Sequence, residues 1–111
     1  MINYTTPAIP LIVDGIDLSS GYDVWVSLEQ SKKELEKKNS DLIITAETHG
    51  QQTDTKIILT LTQEESGSFD FGKSCSVMVN WIDASGVRGA TEMKTLPVMR
   101  NLLDRVIHYG D

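Results

Sequence analysis

The chain has 111 residues, the size of one domain built around a single core. Ten Lys and Arg against sixteen Asp and Glu give a formal charge of -6, which repels phosphate backbones and anionic surfaces and excludes nucleic acid as a first-choice partner. Cys75 is the single cysteine, so an intrachain disulfide and a multi-cysteine zinc site are both excluded, and packing alone must hold the fold.

The opening "MINYTTPAIPLIV" lacks a basic leader region, and its apolar run is broken by Pro7 and Pro10 and ended by Asp14, which argues against a signal peptide. No stretch approaches the roughly twenty apolar residues of a membrane span. The expectation is a soluble protein made in the cytoplasm, with no membrane partner. Residues 5–13 predict a first strand with Ile9, Leu11 and Val13 on one face, and its prolines confine it to a sheet edge. "DGIDLSSGYD", residues 14–23, spaces Asp14, Asp17 and Asp23 around two glycines. It fails the EF-hand pattern at the third and twelfth positions, so turn chemistry accounts for it better than calcium.

"DVWVSLEQ", residues 23–30, alternates cleanly, with Val24, Val26 and Leu28 on one side and Trp25, Ser27 and Glu29 on the other. In "SKKELEKKNSD", residues 31–41, Glu29 to Lys33 and Glu34 to Lys38 would suit helical pairs. Only Leu35 is apolar there, so a hairpin turn into a lysine-bearing edge strand is the preferred reading. Residues 41–47 and 55–62 flank the polar bend "THGQQTD" and predict a hairpin, with Ile57, Leu59 and Leu61 sharing a face. Residues 63–73 connect to another sheet, with room for one helical turn. "SCSVMVNWID", residues 74–83, sets Cys75, Val77, Val79 and Trp81 on one face, and residues 87–96 return. In residues 97–109 the period changes: Val98, Met99, Leu102, Leu103, Val106 and Ile107 recur at helical spacing behind Pro97, which predicts a short amphipathic closing helix.

Chemistry-bearing patterns are few. Asp83-Ala84-Ser85-Gly86 lies between two alternating strands, where Asp83 can bond the backbone ahead of it and Gly86 can take positive φ. The rival, the Asp-Thr/Ser-Gly triplet of small dimeric aspartic proteases, is interrupted by Ala84 and falls late in the chain. A nucleophile would need a base beside Cys75 or a serine, yet His49 lies in a polar loop and His108 near the C-terminus. Cys75 shares the face of Val77 and Val79 and is expected as a small buried apolar residue. No enzyme, metal site or cofactor is predicted.

One feature exceeds a bland expectation. If Val24, Ile57, Val77 and Val79 point into the core, period two forces Trp25, Ile58, Met78 and Ile82 outward, so both faces of the central strands are partly apolar. Either the closing helix or a loop covers the second face, or it is an interface with another copy or another protein. Trp25, Ile58, Met78 and Ile82 are the candidate contact residues, with Trp81, Leu59 and Val79 expected to hold the core.

The order of "TPAIPLIVDGIDLSSGYDVWVSLEQ", "LTQEES", "VNWIDASGVRGAT" and "LPVMRNLLDRVI" resembles small proteins encoded in the tail-gene region of phages and prophages of Gram-positive bacteria. These are similar in plan to the N-terminal module of baseplate upper proteins. The resemblance covers nearly the whole chain and rests on packing and turn features. It implies an all-β, immunoglobulin-like β-sandwich of about seven strands, one domain over residues 1–111; the short C-terminal helix is a departure from a bare sandwich. It further implies a non-enzymatic virion structural protein of the tail or baseplate, made in the bacterial host cytoplasm. Its partners would be other tail or baseplate proteins or copies of itself. The alternative is a carbohydrate-binding module for host-surface recognition, with Trp25 as stacking platform.

Overall fold

A computed structural model describes residues 1–111. Its eight strands and one short helix form two antiparallel sheets, an all-β sandwich in plan. Strand β1 (Ala8–Val13) pairs with β5 (Gln52–Thr60), which pairs with β4 (Leu42–His49). The larger sheet runs β3 (Lys33–Lys38), β2 (Tyr22–Gln30), β6 (Ser74–Asp83), with β7 (Arg88–Ala90) and β8 (Lys94–Pro97) both on the far side of β6. These last two occupy one sheet position, interrupted at Thr91. The Thr91 amide donates to the Val79 carbonyl at 2.9 Å, and the Thr91 hydroxyl accepts from the Val79 amide at 3.1 Å.

Period-two patterning decides which side chains enter the core. On β2, Val24, Val26 and Leu28 are buried; β6 adds Cys75, Val77 and Val79 on the same face, and the smaller sheet adds Val13, Ile57 and Leu59. With Leu18, Leu61, Phe69 and Val98 they make one cluster of thirteen residues. The edge reading of the first strand holds: β1 has a neighbour on one side only, and Pro10 lies within it. The lysine-rich block is likewise an edge strand, entered through Ser31 at φ 55°. Both arms of the β4–β5 hairpin continue through the polar bend to a two-residue turn, Gly50-Gln51, because polar side chains there cost nothing on a solvated rim.

Three connections change sheets. The one from β3 to β4 is a 3-10 turn, Asn39–Asp41, pinned by the Asn39 side chain, which accepts from the Val24 amide at 2.6 Å and donates to the Tyr22 carbonyl at 2.9 Å. The one from β5 to β6 contains α1 (Gln63–Gly67), started by a capping box in which Thr62 and Glu65 satisfy each other's backbone amides. The single helical turn expected there is present.

The closing helix is not. Residues 97–109 contain no helix: Pro97 ends β8, Val98 is buried, and Met99 forms a parallel bridge with Ile2. Backbone groups find other partners, since Asn3 accepts from the Asn101 amide at 2.9 Å and Gln63 both donates to the Ile107 carbonyl and accepts from its amide, at 2.8 and 2.9 Å. A helix this short is marginal unless a surface buries its apolar face, and the strand pairing of Pro97 removes the first turn. No helix is long and apolar enough to cross a membrane.

Candidate functional site

The outer face of the larger sheet is built in register rows. Lys38, Trp25, Asn80 and Ala90 lie side by side across four strands; Glu36, Ser27 and Met78 form the row on one side of them, and Asp23, Ile82 and Arg88 the row on the other. Met78, Trp25 and Ile82 thus occupy three successive rows, each half-buried, a stripe about 13 Å long at the usual strand rise. Ile58 is not part of it. It lies on the outer face of the other sheet, between Pro10 and Ile43, the latter 59% exposed. The four predicted contact residues therefore divide three to one between opposite surfaces. Period two fixes the direction of each side chain but not the sheet to which its strand belongs.

Charged and polar groups frame the stripe. Lys38 Nζ stands 5.1 Å from the centre of the Trp25 ring and 3.9 Å from Asp23, and Arg88 donates to Asn80 Oδ1 at 3.1 Å. Trp25, Ser27, Glu36, Asn80, Ile82 and Arg88 line a shallow depression of about 370 Å³. Asn80, Arg88 and Glu36 were not singled out by the sequence. Only the strand register brings them beside Trp25, and the one available signal was their place on the outward-facing period.

The remaining sequence candidates are structural. Asp83 accepts the Ser85 and Val87 amides at 2.9 and 3.0 Å, the Gly86 amide bonds back to the Asp83 carbonyl, and Gly86 takes φ 87°. This is the turn that the acid and the glycine predicted. Asp17 accepts from the hydroxyl and amide of Ser19, which hold its carboxyl below the usual range. Asp54 is held low in the same way by Gln52 and the Gly15 amide. No three His, Cys, Asp or Glu side chains converge as metal ligands. Cys75 is fully buried, as its alternating face predicted, and burial pushes its thiol up. His49 is exposed beside Glu47 at 3.8 Å, and His108 is exposed on the tail. Trp81, expected to hold the core with Leu59 and Val79, is half-buried at its margin, where its ring lies over Gly89.

No protein-family model, curated protein or solved structure matches the chain. What fold and surface define is a two-sheet, all-β module with an apolar stripe framed by charges on the outer face of its larger sheet.

Proposed function

We propose that this chain is a structural part of a phage or prophage tail or baseplate, acting through protein–protein contact on the Met78–Trp25–Ile82 face. The observation that carries the reading is that these three side chains line up on a sheet face left without a covering helix. The C-terminal segment, one of the two covers considered, is tied instead to Met1, Asn3 and Gln63. Surfaces of this kind, apolar in the middle and charged at the edge, are typical of association sites. The strand order supports the immunoglobulin-like form of the sandwich. With β1, β2 and β3 in the places of strands B, C and C′, the orders β1-β5-β4 and β3-β2-β6-β7/β8 correspond to B-E-D and C′-C-F-G. Counting β7 and β8 as one position gives seven.

Quantitative mass spectrometry of purified particles, made after inducing the strain that carries the gene, tests the reading. A fixed ratio to the major tail proteins is expected; absence from intact particles would remove it.

A second reading, recognition of a host-surface saccharide, draws on the depression beside Trp25, where an aromatic ring meets a hydroxyl, an amide, a carboxylate and a guanidinium. Lys38 over the ring must move aside for a sugar to stack on that side. A glycan array without hits would eliminate this reading.

A further inference from the structure

We propose that the tail segment Leu102–Tyr109 folds into a helix on the Met78–Trp25–Ile82 stripe of a second copy of this chain. The inference rests on the reading of that stripe as a contact surface and names its occupant.

Four observations point there. The tail carries Leu102, Leu103, Val106 and Ile107 at helical spacing, yet in the free chain Leu102 is 87% exposed and Leu103 47%. Asn101 Oδ1 accepts the Leu103 amide at 3.0 Å, a bond that an N-cap also makes, and Asp104 would stand at the third position of a helix capped there. An eight-residue helix is about 12 Å long, matching the stripe of about 13 Å. Charge is complementary as well. Glu29 and Glu34 face each other directly on the outer side of β2 and β3 with Glu36 beside them, and none has a cationic partner, because the lysines of that strand bind Asp70, Glu65 and Asp23. Arg105 has no carboxylate partner on its own chain, its guanidinium meeting only the Val106 carbonyl. Like charges opposite each other on adjacent strands destabilise, so a cation brought by a partner is favoured at that place.

The occupant is a second copy because the chain's own tail is held on the other side of the sheet. Asn101 is held by Asn3, and Ile107 by Gln63 of α1. Helix α1 lies on the inner side of β3, where Lys37, opposite core residue Val26, meets Glu65 at 2.7 Å. The outer stripe is on the other side of that sheet. The Gln63–Ile107 pair and the packing of Val106 must open for the segment to swing out from Asn101, and two chains exchanging tails would make a closed, two-fold dimer.

Native mass and far-UV circular dichroism, measured together over rising concentration, test this. Dimer formation with a matching gain of helical signal is expected. Leu102→Ser with Leu103→Ser, exposed in the monomer and therefore neutral to its melting, should weaken the dimer about tenfold or more. Trp25→Ser should do the same, and mixing the two variants should restore association through the one intact tail and the one intact face. A monomer at every concentration, a helical gain without a change of mass, or a dimer indifferent to the tail substitutions would each overturn the proposal. A dimer lost with Trp25→Ser but kept by the tail variant would leave the face as a contact surface and remove only the tail as its occupant.

Discussion

Thr55 is wholly buried in the middle of β5, its hydroxyl accepting the Leu18 amide at 2.8 Å and donating to the Ile16 carbonyl at 2.6 Å. That one side chain fastens the β1–β2 connection to the smaller sheet. Thr55→Val keeps the volume but strands both backbone groups, so urea unfolding should show a loss of about 1–3 kcal/mol. Trp81→Ala should cost about half of the ~3–5 kcal/mol typical of a fully buried ring, because its indole sits at the core margin. Gly89→Ala tests the same contact from the other side. An added Cβ would lie 2.6 Å from the indole, so overpacking should destabilise by about 1–3 kcal/mol and shift the tryptophan emission. The turn at Asp83 was legible because acid and glycine have fixed jobs in tight bends. The place of Trp81 was not, because alternation says which face a side chain takes and nothing about where along the strand the core ends.

At the scale of elements, α1 and edge strand β3 are tied through Glu65, which closes the capping box with Thr62 and pairs with Lys37. Burial would raise its carboxyl, but the hydrogen bonds from Lys37 and the Thr62 amide outweigh that and hold it below its ordinary value. A carboxyl lowered by folding contributes stability above its unfolded pKa and loses it as pH falls through the folded one. The melting temperature should therefore drop with acidification below the ordinary glutamate range, and Glu65→Gln should flatten part of that slope while costing about 1 kcal/mol at neutral pH. A slope unchanged by Glu65→Gln would show that the tie is not made. The hairpin, the lysine-bearing edge and most strands were readable from alternation and turn residues, but the return over residues 87–96 is broken into β7 and β8. The tail was misread for an instructive reason: its helical period is real, but a short helix needs a surface to bury it, and the free chain offers Asn3 and Gln63 as competing partners for its backbone.

At the scale of the whole molecule, two sheets enclose one core of thirteen residues, and the extra apolar surface is distributed over both outer faces and the tail. The sequence exposed that surplus through the outward set Trp25, Ile58, Met78 and Ile82, but sheet membership, fixed only by long-range pairing, separates Ile58 from the rest. Packing of the two sheets holds the module together, and its proposed partner contact is assigned to one sheet face. The most direct test is to express Trp25→Ser beside the wild-type chain in the induced strain and to measure how much of each enters purified particles. The account predicts a melting temperature within a few degrees of wild type and strong depletion of Trp25→Ser from the particles. Equal incorporation of the two would contradict it.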